Sequence, residues 1–147
     1  MKIKLLYEDA YAPTRGSEQA AGLDLYAYDD IDKKHEFVIK PGEVVKINTG
    51  IAIALDPGTA ALILPRSGLA TKKGLRPANT PGLIDADYRG PIIVALRNDS
   101  KEDQYIKAGE RIAQMMIIPY VIGYPEIVNE LDDTKRGNGG FGSTGLN

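Results

Sequence analysis

Apolar and polar residues alternate, or run in short β-branched bursts, along almost the whole chain. Segments 2–6, 23–27, 37–39, 44–48, 51–55, 60–64, 92–96 and 112–118 read as strands, because a two-residue period sends every other side chain to one face of a sheet. Glycines and prolines fall mostly between those runs. Many short strands separated by turn residues predict an all-β subunit, a jelly-roll-like sandwich or barrel. SGLATKKG (67–74) breaks the rhythm. Ser67 is a candidate N-cap and Gly74 a candidate stop, so one or two helical turns are expected there. There is no βαβ alternation, heptad or internal repeat. The end of the chain, 135–147, is rich in Gly, Ser and Thr with one aromatic, Phe141. It predicts a flexible lid segment after a barrel domain of residues 1–134.

The other elements are arranged around NTPGLIDADYRGP, residues 79–91. Asp85 and Asp87 stand one position apart, Tyr88 and Arg89 follow, and Gly82, Pro81, Gly90 and Pro91 punctuate both sides. This pattern predicts a β-hairpin with an acid, a ring and a cation at its tip.

Composition narrows the functional classes. The chain has 147 residues, 43% of them hydrophobic, enough for one domain with a core. Its formal net charge of −2 argues against a dedicated nucleic-acid binder. It has no cysteine, which excludes a disulfide framework or thiolate metal site; its only histidine, His35, lies in the charged stretch 32–36 and reads as a surface residue, which excludes a His-based triad, while a single histidine excludes a multi-His zinc site. A catalytic base is therefore expected to be a carboxylate. The N-terminus turns acidic too early for a signal peptide, and no apolar run reaches membrane length, so a cytoplasmic protein with no membrane partner is expected.

Four further stretches carry candidate chemistry. AGLDLYA (21–27) sets Asp24 in an apolar strand, either at an edge or solvent-facing position or as a ligand for a hydrated cation. PRSGLATKKGL (65–75) leaves a strand and enters the short helix; Arg66, Ser67 and the backbone of Gly68 there form either an anion cradle or an ordinary capped turn. In GERIAQMMI (109–117), Gln114 is a polar side chain in a core strand and requires a hydrogen-bond partner. RGNGGFGSTG (136–145) contains glycines at a formal dinucleotide spacing but lacks the strand-turn-helix setting. It reads as a disordered tail, or as a lid placing Arg136, Phe141 and Ser143 over a base and a polyphosphate. Together these stretches suggest a nucleoside polyphosphate site.

In that order, AGLDLYA, PRSGLATKKGL, residues 79–90, GERIAQ and RGNGGFGSTG resemble the motifs of trimeric deoxyuridine triphosphate nucleotidohydrolases, the dUTPases. The resemblance implies a jelly-roll subunit, a homotrimer with shared active sites, and conversion of dUTP and water to dUMP and pyrophosphate with Mg²⁺. That activity keeps uracil out of DNA and supplies dUMP for thymidylate synthesis. It also implies residue roles. Asp85 activates the water that attacks the α-phosphorus. Tyr88 packs under the deoxyribose. Asn79, the backbone of Gly82, Leu83 and Ile84, and Ile93 read uracil. Arg66, Ser67, Gly68 and Gln114 hold phosphates. Asp24 reaches Mg²⁺ through water. Arg136, Gly142 and Ser143 grip the nucleotide while Phe141 stacks on the base. The alternatives are a same-fold dCTP deaminase, which the intact Asp85–Tyr88 run and the glycine-rich tail disfavour, a dUTP-sensing regulatory module, and a structural jelly-roll protein.

Overall fold

The adjoining apolar runs 44–48 and 51–55 form one strand, β5 (Val44–Ala54), instead of two. Gly50 lies inside it at φ +71°, and the pairing register slips between Asn48 and Ala52. Glycine takes that left-handed conformation without steric cost, so it makes a bulge here and not a turn. A Cβ at Gly50 would also lie 2.7 Å from the Ala10 side chain.

The computed structural model describes residues 1–32 and 36–140. Its other strands are β1 (Lys2–Leu5), β2 (Thr14–Arg15), β3 (Leu23–Tyr26), β4 (Glu36–Ile39), β6 (Thr59–Leu64), β7 (Leu75–Pro77), β8 (Gly82–Ile84), β9 (Pro91–Asn98), β10 (Gln104–Lys107) and β11 (Arg111–Pro119). The helix α1 spans Ser67–Lys73. One sheet has the order β1-β5-β9-β7, a second β2-β3-β11-β6-β8, and a two-stranded ribbon pairs β10 with β4. The fold is all-β and jelly-roll-like. Alternation is clearest in β9, where Ile92, Val94 and Leu96 are buried and Pro91 and Ile93 exposed. These side chains join Leu25, Ile47, Ile51, Ile106, Ile112 and Met115 in one apolar core. Burying each large aliphatic side chain stabilises the fold by about 1.5–3 kcal/mol.

Two expectations are corrected. Residues 79–91 do not form a hairpin: β8 pairs with β6, whereas β9 pairs with β5 and β7. The segment between them is therefore a crossing from one sheet to the other. Nor does Ser67 cap α1. The N-cap is Arg66, extended at φ −85° and ψ 125°, with no side-chain capping bond, and Ser67 is the first helical residue. Gly74 closes the helix in the left-handed conformation, as expected.

After β11 the described chain, residues 120–140, has no helix or strand and exposes Val121, Tyr124, Ile127 and Leu131. Among the described residues no helix is long and apolar enough to cross a membrane.

Candidate active site

Asp24 on β3 stands opposite Gln114 on β11, and Gln114 stands opposite Leu64 at the end of β6. Directly opposed residues of antiparallel strands point to the same face. Pro65 then turns the chain into α1, and Arg66 comes back over that row. Its Nε donates to Asp24 Oδ1 at 2.9 Å and its Nη1 to the Arg111 carbonyl at 3.2 Å. Arg111 Nη1 donates to Asp24 Oδ2 at 3.0 Å. Each carboxylate oxygen thus receives one guanidinium. Asp24 is only 9% exposed and lies on an interior strand, so the edge reading of this residue is wrong. A carboxylate so little exposed is held by its ion pairs.

Gln114 Nε2 donates to the Pro65 carbonyl at 2.9 Å, which meets the partner requirement for this polar residue. Gly22 makes room for the amide, since a Cβ there would lie 2.8 Å from Gln114 Oε1. Asp24, Arg66, Ser67, Gly68, Arg111 and Gln114 line one open cavity of about 240 Å³. Two guanidiniums against one carboxylate leave it a net positive charge. Among the described residues no side chain caps the first turn of α1, which leaves its N–H groups available to an anion. The set suits a polyphosphate. Lys72 and Lys73 lie at the opposite end of the helix, where Lys73 Nζ donates to the Tyr105 carbonyl at 3.1 Å.

Arg111 was absent from the candidates. Strict alternation sends residues 111 and 114 to opposite faces. The register of β11 shifts between Arg111 and Ala113, and such a bulge changes the phase, so both reach the same cavity. The available signal was a charge at the start of an otherwise apolar strand.

A second group surrounds Asp85. Among the described residues strand β8 lies at the edge of its sheet and pairs only with β6, which leaves its outer backbone groups open to a ligand. Leu83 is exposed and Gly82 buried. Asn79 leads in through the cis Thr80–Pro81 peptide, and its Nδ2 would lie 3.3 Å from a Cβ at Gly82. Beyond β8 a tight turn runs from Asp85 to Tyr88, closed by the Tyr88 N–H on the Asp85 carbonyl at 3.2 Å. Arg89 Nη1 donates to the Ala86 and Tyr88 carbonyls at 2.7 and 2.9 Å, so this guanidinium stiffens its own loop. Tyr88 Oη donates to the Pro91 carbonyl at 3.1 Å. Leu83, Ile84, Asp85, Tyr88 and Ile93 line a cavity of about 180 Å³. Asp85 and Asp87 also border a larger hollow of about 620 Å³ beside Tyr120.

Among the described residues the two groups line different cavities. Asp24, Arg66, Ser67, Gly68 and Gln114 come together in one, and Leu83, Ile84, Asp85, Tyr88 and Ile93 in the other, with Asn79 and Gly82 at the approach to β8. Arg136 is exposed, and its Nε donates to Gly139 in its own segment at 2.8 Å. Phe141, Gly142, Ser143 and His35 lie outside the described residues. Among the described residues no group of three or more His, Cys, Asp or Glu side chains could hold a metal. The positive cavity offers a cation one carboxylate, Asp24. That donor set fits Mg²⁺ only as a hydrated ion carried on phosphate oxygens.

The sequence matches the family model described as dUTPase over residues 8–145. It is 49% identical over 144 residues to a deoxyuridine 5'-triphosphate nucleotidohydrolase of Hydrogenobaculum sp. (strain Y04AAS1), spanning 98% of this chain and 96% of that protein. The fold is similar to that of the Staphylococcus bacteriophage 80alpha dUTPase with dUPNHPP, with a TM-score of 0.81, 28% identity, and coverage of 99% and 98% of the two chains. A dUTPase from phage phi11 of S. aureus, described with a structural Mg(II) ion, shares the fold at 23% identity and a TM-score of 0.76, over 90% of this chain and 98% of that one.

Proposed function

Because the chain belongs to the dUTPase family, it is a dUTP nucleotidohydrolase, and we propose that an Asp85-activated water attacks the α-phosphorus to give dUMP and pyrophosphate. The observation that carries the assignment of roles is the positive cavity at the start of α1, where Arg66, Arg111 and uncapped N–H groups converge. Triphosphate oxygens bind there to Arg66, Ser67, Gly68 and Gln114. The open edge of β8 supports base recognition. Uracil presents an acceptor, a donor and an acceptor along one edge, and the backbone of Gly82, Leu83 and Ile84, with Asn79 and Ile93, answers that pattern. Cytosine offers the wrong pattern, and thymine adds a methyl group. Tyr88 packs under the deoxyribose.

Asp24 would hold Mg²⁺ bound with the nucleotide through the ion's coordinated waters, and the ion would neutralise phosphate charge. Asp85 accepts the proton of the attacking water. The reaction demands positioning and charge stabilisation more than covalent chemistry, and these residues supply both. Since the two cavities are separate in one chain, the complete site belongs to a homotrimer whose subunits share residues. Residues 135–147 form the lid: Arg136, Gly142 and Ser143 on phosphates and Phe141 on uracil. The enzyme acts in the cytoplasm, removing dUTP before it reaches DNA and supplying dUMP.

The test is incubation of the purified protein with dUTP and Mg²⁺, followed by separation of products, with dCTP in parallel. The expected products are dUMP and pyrophosphate from dUTP, and nothing from dCTP. Deaminated nucleotide from dCTP, or dUTP bound without turnover, would overturn the reading.

A further inference from the structure

We infer that Gly90 is a specificity-determining positioning residue: its missing side chain forms the seat for the Tyr88 ring, and that seat makes the site reject ribonucleotides. The inference rests on the reading of Tyr88 as the residue beneath the sugar. A Cβ built on Gly90 would strike the Tyr88 hydroxyl, lie 2.6 Å from Cζ and reach 3.1 Å from Cε2. These contacts fall on the outer end of the ring, so the whole phenol lies back across residue 90. Gly90 is not among the positive-φ glycines, so φ does not demand glycine there, and the nearest atoms a Cβ would meet all belong to the Tyr88 ring.

One bond holds the phenol in that position, and two more fix the backbone of Tyr88 beneath it. Tyr88 Oη donates to the Pro91 carbonyl at 3.1 Å. The Tyr88 N–H donates to the Asp85 carbonyl at 3.2 Å. Arg89 Nη1 holds the Tyr88 carbonyl at 2.9 Å. Tyr88 is nonetheless 42% exposed and does not belong to the apolar core cluster. A ring so open to solvent holds one orientation only if its local seat dictates that orientation. Because the ring walls the cavity that also contains Asp85 and Ile93, moving it changes the space left for the 2' position of the sugar.

A methyl group at residue 90 forces the phenol off its seat and breaks the bond to Pro91. The displaced ring no longer excludes a 2'-hydroxyl. The experiment compares kcat/KM for dUTP and UTP in wild type, Gly90→Ala, Tyr88→Ala and the double variant, with melting temperature and particle mass checked for each. The ratio of dUTP to UTP is expected to fall at least about tenfold in Gly90→Ala, the size of effect a modest change in pocket fit produces. In the Tyr88→Ala background the added methyl meets no ring, so Gly90→Ala is expected to leave both substrates unchanged. A folded Gly90→Ala protein that keeps the wild-type ratio overturns the inference. If Gly90→Ala fails to fold, the double variant decides: it folds and matches Tyr88→Ala if the glycine serves the ring, and it loses further activity if the glycine serves something else. Failure of the wild type to turn over dUTP would instead overturn the functional reading itself.

Discussion

Replacing Asp24 by Asn tests whether this carboxylate is first an anchor for two arginines or only a contact for hydrated Mg²⁺. The wild-type carboxylate accepts Arg66 Nε at 2.9 Å on one oxygen and Arg111 Nη1 at 3.0 Å on the other. Asparagine keeps one acceptor and turns an N–H₂ donor toward the second guanidinium. One pair is lost outright, and the other keeps only a hydrogen bond from a cation to a neutral amide. A hydrogen bond to a charged group contributes roughly 1.5–3 kcal/mol net. Arg66 is 26% exposed and Arg111 47%, so solvent screens the Arg111 pair more and its contribution sits near the exposed-pair range. The sum is about 2–4 kcal/mol. For a chain of this size each kcal/mol moves the melting temperature by about 2–4 °C, so a fall of about 5–15 °C is expected. The assay is thermal unfolding in chelator without nucleotide, at matched protein concentration because assembly makes melting concentration-dependent. A role confined to Mg²⁺ predicts no change there, and an unchanged melting temperature would refute the anchoring argument. Arg111→Gln should lose much of its own cost in the Asp24→Asn background, since neighbouring partners are not additive.

Asp85→Asn should lower turnover of dUTP by roughly 10²–10⁴-fold while leaving dUTP binding by calorimetry near wild type; near-normal turnover would shift the base to Asp87. Light scattering at assay concentration should return the mass of a trimer, and a fully active monomer would contradict shared sites. Removal of residues 135–147 should leave the melting temperature nearly unchanged and suppress hydrolysis severely; normal turnover by the truncated protein would reduce that segment to a linker. Burial, and then the hydrogen bond to Asp9, push the Tyr28 hydroxyl up from 10.0 to about 12. The folded state thus holds this proton more tightly than the unfolded chain. The resulting stability is complete below pH 10, and is lost as pH rises toward 12. Tyr28→Phe should flatten the fall in melting temperature over that range.

The parts of the fold legible in the sequence were those where burial enforces a period. In β9 the core side chains alternate strictly, and the strand was recognisable within a residue or two. β10, QYIK, buries only Ile106 fully, and β2 has two residues, so neither carries a pattern to find. The break at Gly50 looked like a turn because a left-handed glycine serves turns and bulges equally. The candidate site was legible as residue types, since a buried carboxylate and a polar residue in a core strand both require partners. Its pairings were not. Asp24 meets Arg66 and Arg111 from opposite ends of the sequence, and β8 finds its partner in β6 instead of the adjacent β9. Those contacts follow from sheet order, which local periodicity does not encode.

Sheet order also bears on why the proposed base and phosphate sites lie apart in one chain. A general base must come within about 2.6–3.2 Å of the proton it accepts, or act through one water. Asp85 is exposed on the sheet crossing, and among the described residues it enters no ion pair, whereas both described guanidiniums of the phosphate cavity converge on Asp24. A second carboxylate paired directly with Arg66 or Arg111 would compete with Asp24 for those cations, and the ion pair would stabilise its ionised form and weaken it as a base. Keeping Asp85 on a separate, self-stiffened loop leaves Arg66 and Arg111 positioned by Asp24 before substrate arrives. The proposed trimer then brings a pre-formed base loop to a pre-formed anion site, and neither must rearrange its ion pairs to meet the other.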